Sequence, residues 1–331
     1  MSVTTATDWL CLDAAAETAR IAEALRQQVQ QRLRRKGVVL GLSGGVDSGV
    51  TAALCVKAFG PERVLGILMP EHDSASASEM LGRLMGDRLG IEVIREDVGP
   101  ILVAAGCYRR RDEAVRSVVP NYRAGDKFKI VLPDVRASQA FRLYSVVVQF
   151  ADGSQTKARL PLEAYQTIVA ATNFKQRVRK MIEYYHADRL RYAVAGTPNR
   201  LEYDQGFFVK NGDGAADVKP IAHLYKTQVY QLARHLNVPA EIVDRPPTTD
   251  TYSLEQSQEE FFFSVPYACL DLCLYARDHG IAAAEVAGRV DVTAAQVEAI
   301  FRDIDAKRRA AEYLHLGPML VERAARIDGH P

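Results

Sequence analysis

Ile21, Leu25, Val29 and Leu33 recur every four positions among arginines and glutamines, which predicts a helix over 13–35 with Gly37 as its stop. The run VVLGLS at 38–43 then reads as a short strand. A glycine turn follows it, and then a helix from Val46 to Phe59. Residues 63–70 (RVLGILMP) and 91–97 (IEVIRED) read as two more strands, with a polar helix over 75–89 between them. YAVAGT at 192–197 is a later strand of the same type. Short apolar strands alternating with helices imply an α/β fold: a doubly wound, Rossmann-like parallel sheet with right-handed crossovers.

Residues 108–165 break this rhythm. RRRDEAVRS reads as a charged, solvated stretch, and FRLYSVVVQF and SQTKARL read as two strands around an Asp152-Gly153 turn. The pattern predicts an inserted β-hairpin on a single domain spanning 1–331. A helix resumes over 166–190, a glycine-rich loop occupies 198–219, and the remainder is mainly helical, with His223 and His235 on a helix at 221–236 and a helical tail at 276–331.

A net charge of +1 gives no long-range field for nucleic acid or an anionic membrane, so any polyanionic ligand must meet local cations. No run of about 18 apolar residues is present, and the first twenty residues lack the form of a secretory signal. The five scattered cysteines read as reduced thiols, Cys269 and Cys273 as a buried pair one helical turn apart, and the location as cytoplasmic. The seven histidines form no catalytic set.

Ser43-Gly44-Gly45-Val46-Asp47-Ser48 lies between a predicted strand and a predicted helix. Glycines there let backbone N–H groups close on phosphate oxygens, and the helix N-terminus adds a positive dipole. The GK[ST] ending of a Walker loop is absent. A ligand-free strand–helix turn is the bland alternative. The hexapeptide resembles the pyrophosphate loop of the ATP pyrophosphatases, which cleave ATP between the α and β phosphates; the resemblance implies adenylation with Mg²⁺ and release of pyrophosphate.

Four further segments narrow the choice: NFKQRVRKM (173–181), GTPNRLE (196–202), GFFVKNGDGAADVKPIAHLYKTQ (206–228) and PPTTDTY (246–252). In order and spacing they resemble the NAD synthetases. That resemblance implies an adenine nucleotide alpha hydrolase-like fold and ATP-dependent amidation of deamido-NAD through an acyl-adenylate. ATP would contact Gly41, Leu42, Ser43, Gly44, Gly45, Val46, Asp47, Ser48, Thr197, Lys226 and Thr248, with Ser43, Asp47 and Ser48 nearest the chemistry. Asp47 and Glu202 would share Mg²⁺, and Arg177, Lys210, Asp217 and Lys307 would hold deamido-NAD. The family also implies a homodimer, expected to involve the 166–190 helix with Phe174, Met181, Ile182, Tyr184 and Tyr185.

The residue chemistry agrees: hard carboxylates suit Mg²⁺, and Lys175, Arg177, Arg179, Lys210, Lys219 and Lys226 supply the cations that two polyanions need. Local alternatives are a solvated helix face for Lys175 and Arg179, a surface role for Lys219, and a local cap for Glu202. The chain departs from the family at Ala306-Lys307-Arg308, where a His-Lys pair is usual, at PEHDSASASEM, and in the hairpin. Glutamine-using relatives carry an amidase domain with a nucleophilic cysteine. Only one helix precedes the glycine loop here, so the expected nitrogen source is free ammonia, or ammonia from a separate amidase chain. Two rivals stand beside this reading. A GMP synthetase-like enzyme would lack the GFF-x-K-x-GDG block. A catalytically silent nucleotide-binding protein would have little reason to keep Ser43, Asp47, Ser48, Glu202 and Lys226 together.

Overall fold

In the computed structural model, residues 9–132, 144–246, 252–256, 262–263 and 265–322 are described. The chain runs α1 (Ala14–Arg26), β1 (Val38–Gly41), α2 (Val46–Phe59), β2 (Val64–Leu68), α3 (Ser76–Leu89), β3 (Glu92–Arg95), α4 (Gly99–Ala104), α5 (Cys107–Val118), β4 (Lys127–Val131), β5 (Ser145–Gln149) and β6 (Gln155–Arg159). It continues as α6 (Leu162–Leu190), β7 (Ala193–Val194), α7 (Arg200–Gln205), α8 (Lys226–His235), α9 (Ala240–Val243), α10 (Tyr267–His279), α11 (Ala283–Ala287) and α12 (Ala294–His315).

The main sheet is parallel, in the order β3-β2-β1-β7. Alternation along β1 explains the layering. Val38 and Leu40 pack with Leu25 of α1, Leu54 of α2 and Leu232 of α8. Val39 faces the other way, into a core with Leu102 of α4 and Val178 of α6. Side chains that alternate across a strand must be covered on both faces, which is the doubly wound arrangement expected from the sequence. The chain winds outward from β1 through β2 to β3 and then returns to β1's other side as β7. This reversal opens a crevice at the carboxyl ends of β1 and β7, the usual ligand position in such sheets.

The inserted hairpin is present, with β5 and β6 paired antiparallel from Ser145↔Arg159 to Gln149↔Gln155. A third strand joins it: β4 pairs with β5, and its outer edge is covered where Phe128 N donates to Ser253 Oγ (3.0 Å) and accepts at its carbonyl from Leu254 N (3.0 Å). Phe128, Ile130, Val146 and Val148 form the sheet's buried face. RRRDEAVRS is not a solvated stretch but part of α5, and Arg111 is buried in it because Asp73 of a distant loop reaches it. The first helix gives way to a π-helical turn at Gln27–Arg32 and stops at Arg34, whose φ is positive. His223 precedes α8 instead of lying on it and pairs with Glu17 at 2.7 Å. Cys269 and Cys273 are buried free thiols, as expected. None of the described helices is long and apolar enough to cross a membrane.

A separate core joins α10, α11 and α12 with Leu201 of α7. Gly206 ends α7 at φ +76°, and a Cβ placed there would sit 2.6 Å from the Ala311 Cβ on α12. Gly206→Ala is therefore expected to strain the turn and push α12 away, costing about 1–3 kcal/mol of stability. Urea denaturation measures this, and a midpoint unchanged from the parent would show that the close approach is not needed.

Candidate active site

The crevice at the switch point is a cavity of about 330 Å³. Gly41, Leu42, Ser43, Gly45, Val46, Asp47 and Ser48 form one side, with Thr197, Glu202 and Lys226 beside them. Gly44 shapes the loop without lining the cavity: its φ is +74°, and a Cβ would lie 2.5 Å from the Ser78 carbonyl, so only glycine fits. Ser43 Oγ lies 3.1 Å from Ser48 Oγ and accepts from Gly45 N at 3.3 Å, while Ser48 Oγ donates to the Gly45 carbonyl at 2.9 Å. The α2 N-terminus, with its N–H groups not yet committed to helix bonds, therefore opens onto the cavity.

Asp47 stands in the first turn of α2. Its Oδ2 pairs with the Lys226 Nζ, and its Oδ1 accepts from Asn199 Nδ2 at 3.1 Å. Lys226 is buried at the start of α8, where burial alone would strip its charge; Asp47 and Glu202 outweigh that and hold its pKa above the ordinary value. Asp271 of α10, itself buried, accepts from Lys226 N (3.2 Å) and Thr227 N (2.7 Å), capping the helix that carries the lysine. Its burial raises its own pKa to about 6.

Glu202 both caps and lines. Asn199 N donates to Glu202 Oε2 at 3.1 Å and Glu202 N donates to Asn199 Oδ1 at 3.2 Å, a capping box at the start of α7. Burial, then the neighbouring Asp47 charge, push the Glu202 carboxyl up to about 8. Among the described residues no group of three or more His, Cys, Asp or Glu is arranged to hold a metal. Two repelling carboxylates on a cavity wall do suit Mg²⁺, which takes one or two protein carboxylates and completes its shell from phosphate oxygens and water.

The opposite wall was not anticipated in full. Gln176, Arg179, Lys180 and Glu183 of α6, Asp213 of the 206–219 loop, and Arg245 all face the cavity. Lys180 Nζ donates to Glu183 Oε2 at 2.6 Å, both side chains being buried. Asp213 accepts from Val209 N at 2.8 Å, and burial raises its carboxyl pKa. Lys175 is no solvated residue: it is buried and donates to Glu71 (3.0 Å) and Asp73 (2.6 Å). Arg179 is half-buried and donates to the Met69 carbonyl at 3.2 Å. Lys219 is half-buried over the Tyr203 ring.

The four residues expected to hold deamido-NAD do not line this cavity. Arg177 Nε donates to the Lys210 carbonyl at 3.3 Å. Lys210 Nζ donates to the Tyr313 and Leu316 carbonyls at 2.7 and 2.8 Å, closing the end of α12. Asp217 accepts from Val194 N at 2.7 Å and from the Tyr184 hydroxyl at 3.3 Å. Lys307 pairs with Asp303 and donates to the Phe262 carbonyl, both at 2.8 Å. Thr248 lies outside the described residues. No cysteine lines the cavity, and burial pushes the Cys55 thiol up to about 12, which leaves it inert.

A parallel sheet with a glycine loop, paired carboxylates and a buried lysine at its switch point defines a nucleotide-binding α/β enzyme. The chain belongs to the NAD synthase family, which it matches over residues 17–127 and 137–311. It is 60% identical over 311 residues to the NH(3)-dependent NAD(+) synthetase of Mesorhizobium japonicum, covering 94% of this chain and 98% of that one. It is 57% identical to the protein of the same name from Rhizobium meliloti, covering 97% and 96% of the two chains. Two solved structures share the fold. An NMN synthetase from Francisella tularensis has a TM-score of 0.63 at 22% identity, covering 94% of this chain and 99% of that one. An NH3-dependent NAD synthetase from Campylobacter jejuni has a TM-score of 0.61 at 20% identity, covering 94% and 100%.

Asn199 joins the two carboxylates and is fully buried. Asn199→Ala is expected to cost about 1 kcal/mol through the lost cap. It should also lower ATP-dependent turnover on the order of tenfold or more, because it frees Asp47 and Glu202 at once. Denaturation together with a pyrophosphate-release assay checks both, and unimpaired turnover would exclude a role for this bridge.

Proposed function

We propose that the protein makes NAD by amidating deamido-NAD with ammonia at the expense of ATP, releasing AMP and pyrophosphate. The observation that carries this reading is the convergence of the glycine loop, Asp47, Glu202 and Lys226 in one cavity of a chain with close relatives of that name. A carboxylate is a poor acceptor for ammonia, and transfer of AMP to it supplies the leaving group. The nicotinate carboxylate attacks the α-phosphorus, pyrophosphate departs toward the glycine loop, and the acyl-adenylate forms. Ammonia then attacks the carbonyl and AMP leaves.

The protein's part is position and charge. Ser43, Ser48 and the α2 N-terminus hold the departing pyrophosphate, and Lys226 and Thr197 lie alongside it. Asp47 and Glu202 are the residues that would hold Mg²⁺, which would offset phosphate charge. Asp213, a carboxyl of raised pKa on the same wall as Lys180, takes the proton that ammonia sheds on forming the amide. Arg177, Lys210, Asp217 and Lys307 serve the far end of deamido-NAD, outside the cavity. Residues 108–165 are read as an insertion on a single 1–331 domain, and 276–331 as its tail, helical as far as His315; residues 133–143 and 323–331 lie outside the described residues.

We also read the protein as a homodimer. On α6, Phe174, Ile182 and Tyr184 pack within the chain, but Met181 and Tyr185 are 54% and 59% exposed, with Ile101 and Val103 of neighbouring α4 exposed as well. Light scattering is expected to give twice the chain mass, and Met181→Asp with Tyr185→Asp is expected to halve it. A monomeric, fully active parent would exclude this.

Turnover should proceed with ammonium salts and rise with pH toward the ammonium pKa, since only neutral ammonia carries the attacking lone pair. Glutamine alone should give little product, and the acid form of NMN should be a poorer substrate than deamido-NAD. Asp213→Asn should keep pyrophosphate release in a single turnover while slowing amide formation on the order of 10²-fold. Equal rates with glutamine and ammonium, in protein free of any amidase, would overturn the nitrogen-source reading; an unchanged Asp213→Asn would overturn its role.

A further inference from the structure

Outside the nucleotide cavity, a group of buried charges lies between the 71–76 loop, α5 and α6. Lys175 of α6 reaches Glu71 and Asp73. Arg111 of α5 pairs with the same Asp73 and donates through Nε to Asp112 Oδ1 at 2.8 Å. All four side chains of the Glu71–Asp73–Lys175–Arg111 set are at most 8% exposed. Tyr108 of α5 donates its hydroxyl to Glu71 at 2.8 Å. The Arg111 guanidinium lies 5.1 Å from the Tyr108 ring and 5.3 Å from the Phe128 ring of β4, so the small sheet bears on it directly. Burial alone would raise the Asp73 carboxyl, but Lys175 and Arg111 outweigh it and hold it below its usual range.

The cluster adjoins the nucleotide cavity. Asp73 immediately precedes Ser74, which lines it with Ala75 and Ser76. Ser74 Oγ accepts from Glu71 N at 3.1 Å and from Arg179 Nη2 at 3.5 Å. Arg179 also donates to Met69 at the start of the loop and itself lines the cavity. A path of direct contacts therefore runs from Phe128 through Arg111, Asp73 and Ser74 to Arg179.

We propose that Arg111 is a positioning residue for the reaction: through Asp73 it fixes the 71–76 wall of the nucleotide cavity, and with it Arg179, so that the inserted sheet sets the affinity for ATP. An ion pair held away from water has one stable geometry, whereas a serine-rich loop has many. Arg111 touches no reacting atom, so its loss acts on binding before chemistry.

The inference rests on the reading of this cavity as the ATP site, which Ser48→Ala tests separately; if Ser48→Ala leaves the ATP KM unchanged, it is that reading which fails. Arg111→Met should raise the ATP KM about tenfold, with kcat within about threefold and the KM values for deamido-NAD and ammonium within about twofold. Arg111→Lys, which keeps the charge, should recover most of the loss. With Arg111 gone, Glu71 and Asp73 share Lys175 alone, and the double variant Arg111→Met, Asp73→Asn removes the carboxylate in excess. It should bring the melting temperature back toward the parent while the ATP KM stays raised, a split that a purely structural role would not give. If Arg111→Met does not fold, the double variant and Arg111→Lys carry the comparison. A folded variant without the arginine whose ATP KM stays within about twofold of the parent overturns the inference, as does a loss spread equally over all three substrates.

Discussion

A buried ammonium between two carboxylates governs this site. Lys226 is fully buried, and a charge in that position is tolerable only when paired and hydrogen-bonded. Asp47 supplies the pair, Asn199 holds Asp47's other oxygen, and Asp271 fixes the helix on which the lysine stands. Three elements from distant parts of the chain, α2, α7 and α8, are thereby locked across the switch point. Loss of Lys226 would leave two neighbouring carboxylates with no cation between them. Loss of Asp47 would leave an ammonium away from water.

The same arrangement leaves the site short of positive charge, which sets how it meets a nucleotide. One lysine faces two carboxylates on the glycine-loop side, and Glu202 responds by holding its proton up to about 8. A triphosphate entering here adds further negative charge. It is compatible with the site only if a cation comes with it, or if the opposite wall contributes Arg179, Lys180 and Arg245. Those basic side chains already line the opposite wall, and the cation would be the Mg²⁺ of the proposed mechanism.

Local features of the fold and site were legible in the sequence. The alternation of apolar strands with helices gave the parallel sheet, Asp152-Gly153 marked the hairpin of the separate small sheet, and the glycine loop fell where a strand meets a helix. Asn199 was also within reach, because Asn followed three residues later by Glu is the spacing of a capping box. What was hidden depends on contacts distant in sequence. Arg111 sits in a run that reads as solvated, and only its 38-residue separation from Asp73, closed by the fold, turns it inward. Asp271 lies in an apolar stretch where nothing local marks it as the cap of another helix. Strand β4 was missed because Lys127 and Lys129 give it a polar face, and its core face is specified by β5.

The placement of Arg177, Lys210, Asp217 and Lys307 outside the cavity bears on how a dinucleotide is accommodated. A cavity of about 330 Å³ is small beside ATP and a dinucleotide together, so only the reacting ends of the two substrates need to share it. Lys210 closes the end of α12, and Arg177 leans on Lys210's own carbonyl, so both cations lie along a seam between α6, the 206–219 loop and the C-terminal helix. Both donate to backbone carbonyls, whereas Lys307 is paired with the Asp303 carboxylate. In the proposed reading, Arg177 and Lys210 would meet a phosphate of the dinucleotide before Lys307 does. Lys307 would reach the dinucleotide only by leaving Asp303 and the Phe262 carbonyl, contacts that hold α12 against Phe262.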